Sequence, residues 1–134
     1  MQNAEMLIVK KSYDFCKWLL NHTNKFPKSY RFSVAVRLEN AILDFIEFIT
    51  IANMRKDKTP MLKRADEALS RLRLLLRLSY DMQFINLKSY EFGSQNLTEL
   101  GKMLGGWLKK PAGISERKGA DNGRRASRRL VDQQ

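Results

Sequence analysis

The chain has 134 residues, enough for one ordinary domain and a short tail. Its 25 Lys and Arg residues exceed its 14 Asp and Glu residues, so the formal net charge of +11 favours nucleic acid, an anionic membrane surface or an acidic protein as a partner. One cysteine and one histidine exclude an internal disulfide and a Cys/His metal site, and with them the disulfide-rich secreted and zinc-binding scaffolds.

Two amphipathic helices are predicted in the first half of the chain. Apolar residues spaced three and four positions apart predict the first helix over residues 5–24, before a break at Pro27. The second helix is predicted over residues 28–55, where apolar residues cover most of the helical circumference. Such a helix is buried on several sides, and one short chain has few other elements to cover it. The second helix therefore indicates self-association.

Two further helices are predicted after a short polar connection at residues 56–58. Thr59 is the expected N-cap and Pro60 the first residue of the third helix, which extends to residue 82. The fourth helix is predicted over residues 88–109, with an apolar face of leucine and aromatic residues. Four helices of this length joined by short connections predict an all-α fold, an up-down-up-down four-helix bundle.

Three glycines, Gly101, Gly105 and Gly106, interrupt the predicted fourth helix. Glycine inside a helix costs about 1 kcal/mol relative to alanine, so a structural reason for these residues is expected. We expect a neighbouring backbone to approach the helix closely at these positions. A glycine-rich phosphate loop is not expected, because no strand precedes them.

The composition changes after the fourth helix, where glycine, polar residues and arginine pairs replace the apolar pattern. We therefore divide the chain into a four-helix bundle, residues 1–110, and a flexible basic tail, residues 111–134. The tail has six basic and three acidic residues, so it carries +3 of the net charge and the bundle carries +8. Most of the basic surface is therefore expected on the bundle.

Basic residues are concentrated on the predicted third helix, just before it, and in the tail. Pairs such as Glu67–Arg71 and Arg77–Asp81, four residues apart, would contribute only about 0.2–0.5 kcal/mol each and leave most of the positive charge uncompensated. The excess positive charge predicts binding to phosphates or to an acidic partner. For the tail arginines, the alternative is that they only increase solubility. The predicted contact residues are Arg55, Lys56, Lys63, Arg64, Arg71, Arg73, Arg77, Arg124, Arg125, Arg128 and Arg129.

A second group of residues predicts contact between protein chains. Leu74 and Leu78 fall outside the core face of the third helix, and a single exposed leucine would need no explanation. Together with the nearly all-round apolar second helix, they indicate an interface in a homo-oligomer. The predicted interface residues are Phe32, Val36, Leu43, Leu74 and Leu78.

Residues for catalysis are scarce. His22 has no serine, cysteine or acidic partner at a spacing that the sequence reveals, and Cys16 lies on the apolar face of the first helix, as an inert core thiol does. The carboxylates occur singly among basic residues rather than as an acid/base pair. We therefore expect no catalytic residues, no metal site, no cofactor and no enzymatic activity.

Features of membrane and secreted proteins are also missing from the sequence. A membrane span needs about 18 consecutive apolar residues, and every apolar stretch of the sequence is much shorter. The first residues do not resemble a signal peptide. The apolar helix faces are already needed for the bundle, which argues against a membrane-surface role. We expect a cytoplasmic protein without a membrane partner.

Three segments together carry a resemblance to a known family. They are FPKSYRF at residues 26–32, ADEALSRLRLLLRLSYD at residues 65–81 and LGKMLGGWLK at residues 100–109. Their order and spacing resemble the accessory variability determinant (Avd) proteins of diversity-generating retroelements. These belong to a wider bacterial four-helix-bundle family that includes proteins encoded in ribosomal RNA intervening sequences. The intervening-sequence proteins have a stretch of the Asn-Ile-Ala-Glu-Gly type. This chain does not match it at residues 51–55, which favours the Avd branch.

The resemblance covers residues 5–110 and carries functional expectations. It implies a homopentameric ring or barrel with a basic surface and no catalytic centre. Its partners would be a reverse transcriptase and RNA and/or DNA, bound largely without sequence preference, and it would support adenine-mutagenic cDNA synthesis. The same basic residues are then candidates for contact with the polymerase. The alternative is a structural adaptor or a generic RNA-binding four-helix-bundle protein unrelated to an active retroelement.

Overall fold

A computed structural model of the protein describes residues 4–109. In this range the regular secondary structure is helical, and four long α-helices account for most of it. They are α1 (Ala4–Thr23), α2 (Val36–Asn53), α3 (Thr59–Asp81) and α4 (Leu87–Lys109). The predicted all-α fold with four helices is confirmed for the described residues. The predicted tail lies outside them, so the division at residue 110 stays a prediction.

The helices form an antiparallel bundle in which each helix packs on the next and α1 also packs on α4. Two contacts fix the direction of α4 relative to α1. In the first half of α1, Lys11 pairs with Glu99 in the second half of α4, with 2.6 Å between Nζ and Oε1. At the end of α1, His22 meets Ser89 in the first turn of α4. The order of these contacts reverses along α4, as in an up-down-up-down bundle.

The entry into α2 differs from the prediction of one helix starting at residue 28. Pro27 has φ −56° and ψ 142°, so the chain is extended there. A 3₁₀ turn (Lys28–Tyr30) and a π-helical segment (Arg31–Ala35) follow, and regular α-helix begins only at Val36. A π-helical segment uses i→i+5 hydrogen bonds, which changes the angular position of its side chains relative to a regular helix.

All four helices contribute to one continuous hydrophobic core. Large side chains such as Phe45 on α2 and Leu72 on α3 are completely buried, and each contributes roughly 1.5–3 kcal/mol of hydrophobic stabilisation. Phe84, in the connection to α4, packs against both Phe26 and Tyr30 and closes one end of the bundle. The predicted core face of α1 is buried except at Leu20, which is exposed.

The connections between helices are stabilised by side chains of the connecting residues. Lys58 Nζ donates hydrogen bonds to the carbonyl oxygens of Ala52 at 3.1 Å and Arg55 at 2.6 Å, at the C-terminal end of α2. Thr59 is the first residue of α3 rather than its N-cap, and its backbone N–H is 3.4 Å from the Asp57 carboxylate. The predicted N-cap was therefore wrong by one residue: the N-cap is Lys58, whose side chain makes no capping hydrogen bond.

Candidate nucleic-acid interface

Seven of the eleven predicted contact residues lie in the described part of the chain, and all seven are exposed. Two stand at the connection between α2 and α3, and five stand on α3. These seven are Arg55, Lys56, Lys63, Arg64, Arg71, Arg73 and Arg77. The four predicted tail arginines, Arg124, Arg125, Arg128 and Arg129, lie outside the described residues.

On the α2 side of α3, the arginines contact side chains of α2. Arg71 Nη2 lies 3.4 Å from Asp44 Oδ2, so this guanidinium has a carboxylate beside it. The guanidinium carbon of Arg64 lies 6.0 Å from the centre of the Phe48 ring, at the outer limit of a cation–π contact. The pair expected within α3 between Glu67 and Arg71 is replaced by this contact between helices. The positive charge on this side is therefore partly compensated.

On the α4 side of α3, Arg77 and Arg73 have different surroundings. Arg77 Nε donates to Asp81 Oδ1 at 3.0 Å, which confirms the pair predicted from their spacing. Asp81, and after it Tyr90, raises the pKa of the Arg77 guanidinium. Arg73 lies against Gly101 of α4, and no carboxylate of residues 4–109 forms an ion pair with it. Arg73 therefore offers an uncompensated, exposed positive charge.

The glycines of α4 do not have the role expected from the sequence. A methyl group at Gly101 would overlap the terminal nitrogen of Arg73, so a side chain fills this space rather than a neighbouring backbone. At Gly105 and Gly106 an added methyl group would meet no atom of the described residues within 4 Å. Within residues 4–109 the expected close approach of a backbone is therefore not found, because the Arg73 side chain fills the space at Gly101 and the other two glycines face open space.

Individual apolar side chains are exposed on α2, on α3 and in the segment before α2. Four of the five predicted interface residues are exposed: Phe32 by 92%, Leu74 by 69%, Leu43 by 42% and Leu78 by 40%. Val36 is half-buried. Four of the five thus lie on the outside of the bundle, and their role in an interface stays a prediction.

Further exposed apolar residues were missed by the sequence reasoning. Met54 is 74% exposed at the end of α2. Met6, Tyr13 and Leu20 are exposed on α1. Their seven-residue spacing places them in one row on a helix, and this was the signal that could have revealed them.

His22 has a partner that the sequence did not reveal. Its Nε2 lies 3.3 Å from the Ser89 hydroxyl oxygen, and its Nδ1 lies 2.9 Å from the Trp18 carbonyl oxygen. A proton on Nδ1 satisfies both contacts, because it donates to the carbonyl while Nε2 accepts from the serine. Ser89 is 67 residues away in sequence, so no local spacing could reveal it as a partner of His22. The contact joins the end of α1 to the start of α4.

The remaining chemistry of the described residues is limited. Cys16 is buried, and burial raises the pKa of its thiol, which disfavours the reactive thiolate. Across residues 4–109, no three His, Cys, Asp or Glu side chains come together as a metal site. Within the same residues, no helix has the length and apolar character needed to cross a membrane.

Comparison with known proteins identifies the family. The sequence model of the bAvd-like family matches residues 6–111, which include α2, α3, α4, all of α1 but its first two residues, and the three segments that carry the resemblance. No curated protein matches this sequence. The match covers well over half of the chain, and the observed fold is the four-helix arrangement expected from the resemblance. The chain therefore belongs to the bAvd-like family.

Proposed function

We propose that the protein is a non-enzymatic accessory subunit of a diversity-generating retroelement. In this role it binds the reverse transcriptase and nucleic acid in the cytoplasm and supports mutagenic cDNA synthesis, without a cofactor and without a membrane partner. The observation that carries the proposal is the family match over residues 6–111. The exposed basic residues of α3 and of the connection before it support the nucleic-acid part. The four tail arginines belong to the same proposed contact set.

The proposed subunit acts as a homopentameric ring or barrel. A closed ring with an odd number of copies needs two different patches on each copy, because every contact joins one patch to another. The outward surface of α2 and α3 with Leu43 and Leu74 supports one such patch, and the exposed row of α1 with Tyr13 supports a second. Assembly would also combine the bundle charges, about +40 for five copies of the +8 bundle. Such a charge favours a polyanionic partner.

Salt dependence of nucleic-acid binding tests the electrostatic part of the proposal. Binding should release counterions. The logarithm of the association constant should therefore fall linearly with the logarithm of the salt concentration, with a slope of about −0.7 per neutralised phosphate for a single strand. If about four phosphates are neutralised, affinity falls about 50-fold between 50 and 200 mM salt. Fluorescence anisotropy with labelled single-stranded RNA and DNA of unrelated sequences measures this change. Equal affinity at both salt concentrations would contradict the proposal.

Co-purification with the retroelement's reverse transcriptase tests the polymerase part. The enzyme should be retained by the tagged protein after nuclease treatment, and cDNA synthesis on its own template RNA should depend on the added subunit. The alternative function, a structural adaptor, predicts the opposite pattern: a stable oligomer that binds neither RNA nor DNA at moderate salt. The exposed Leu74 is compatible with that alternative, so the two binding experiments together decide between them.

A further inference from the structure

The groove between α3 and α4 holds two guanidinium groups one helical turn apart. Arg73 and Arg77 are four residues apart on α3, and both are exposed. Like charges at this spacing repel each other. Asp81 compensates Arg77, while Arg73 has no carboxylate partner among the described residues. The groove therefore carries an excess positive charge that an anion would neutralise.

The position of Arg73 depends on the missing side chain of Gly101. A Cβ atom at Gly101 would overlap Arg73 Nη2 and would lie 3.7 Å from its guanidinium carbon. The same Cβ would be 3.4 Å from Leu69 Cδ2, an ordinary contact that requires no movement. The guanidinium therefore lies against the backbone of α4 in space that only glycine leaves open. An arginine supported in this way loses less conformational entropy when it binds a ligand.

The other α3 arginines are held differently. Arg71 has the Asp44 carboxylate beside it, and Arg64 lies near the Phe48 ring on the α2 side. Arg77 uses its Nε for Asp81 and has the Tyr90 hydroxyl as a further hydrogen-bond partner, which still leaves N–H donors of its guanidinium for another acceptor. Two planar donor groups one helical turn apart can each donate to the oxygens of a phosphate.

We propose that Arg73 and Arg77 form a phosphate-binding site in the α3–α4 groove and that Gly101 is the positioning residue of this site. The ligand is a phosphate of the nucleic-acid backbone, so the inference rests on the proposed function and deepens it. Arg73 and Arg77 donate hydrogen bonds to the phosphate oxygens. Gly101 makes no contact with the ligand and acts by leaving room for Arg73.

A pair of matched glycine variants tests the role of Gly101. Gly101→Ala and Gly105→Ala both add one methyl group to α4, but only the first displaces Arg73, since a methyl group at Gly105 meets nothing within 4 Å. The overlap involves only the far end of the exposed Arg73 side chain, which can move into solvent, so Gly101→Ala should fold with a Tm no lower than that of the native protein. Its affinity for single-stranded RNA should fall about tenfold, while Gly105→Ala stays within about twofold.

The salt dependence of binding distinguishes a phosphate contact from a merely structural role, because a structural role would leave its slope unchanged. Loss of one phosphate contact should reduce the slope by about 0.7 in Gly101→Ala and in Arg73→Gln, with no change in Gly105→Ala. The double variant Gly101→Ala/Arg73→Gln should bind no more weakly than Arg73→Gln alone, because both changes remove the same contact.

The outcomes separate this inference from the proposed function. If the native protein does not bind nucleic acid, the nucleic-acid part of the proposed function is wrong. If the native protein binds and Arg73→Gln binds equally well, the phosphate site is overturned while the proposed function stands. If Arg73→Gln weakens binding but Gly101→Ala behaves like Gly105→Ala, the positioning role of Gly101 is overturned.

Discussion

The arginines of α3 differ in what lies beside each guanidinium. Arg71 meets Asp44 of the neighbouring helix, Arg77 meets Asp81 one turn further along its own helix, and Arg73 lies over a glycine. An exposed ion pair contributes little to stability, about 0–1 kcal/mol, but it partly cancels a charge that a phosphate could otherwise use. All three arginines are exposed, so what distinguishes their availability for nucleic acid is the local partner of each.

Lys58 offers a test of a single residue that stabilises a connection. Replacing it with methionine removes the two hydrogen bonds to the carbonyl oxygens of Ala52 and Arg55. Because the side chain is only partly buried, we expect Lys58→Met to lower the free energy of unfolding by about 1 kcal/mol, measured by urea denaturation. Lys56→Met is the control, since Lys56 is exposed and makes no side-chain hydrogen bond to the described residues. A loss no larger than that of the control would contradict this role.

At the scale of whole helices, apolar spacing predicted the elements well. The observed bounds of α1, α3 and α4 differ from the predicted ones by one residue at most. The start of α2 was not predictable in the same way. The residues from Arg31 to Ala35 have an ordinary helical composition, so no pattern in them distinguishes π-helical from α-helical hydrogen bonds.

The candidate site was predictable in its residue types but not in its pairings. Charge and helix position identified Arg71 and Arg73, and both are exposed. Their partners, Asp44 and Gly101, lie on other helices, and their position opposite α3 depends on the axial alignment of the packed helices. A pattern within one helix, such as Arg77–Asp81, was predictable because four-residue spacing alone determines it.

Changing two glycines of α4 to alanine should shift the free energy of unfolding in opposite directions. Gly93 is buried, and a methyl group there would come within 2.9 Å of Leu76 Cδ2 and 3.1 Å of the Trp18 ring. We expect Gly93→Ala to lower the free energy of unfolding by about 1 kcal/mol, because overpacking exceeds the gain in helix propensity. Gly106→Ala has open space and should raise it by up to about 1 kcal/mol. Thermal and urea unfolding measure both changes, and stabilisation by both variants would show that the core accommodates the methyl group.

At the scale of the whole molecule, exposed apolar side chains occur on several helices. On α2, Leu43 is exposed between the exposed polar residues Asn40 and Glu47, and Met54 is exposed just after the helix ends. The exposed polar row on α4 consists of Lys88, Gln95 and Lys102. Assembly through Leu43 would leave this polar row in solvent. The bundle can then expose its basic groove between α3 and α4 while α2 is covered by a neighbouring copy.

A charge placed on the outward side of α2 tests this assembly. Leu43→Glu should leave the helix content unchanged, because the side chain is already exposed in the single chain. In an oligomer the new carboxylate would be buried in an apolar contact at a cost of several kcal/mol, so the complex should dissociate toward the mass of one chain, 15.6 kDa. Gln95→Glu adds a negative charge on the polar side of α4 and should retain the native mass of about five chains. Light scattering coupled to size-exclusion chromatography measures all three proteins, and a native monomer, or equal masses for the two variants, would contradict assembly through α2.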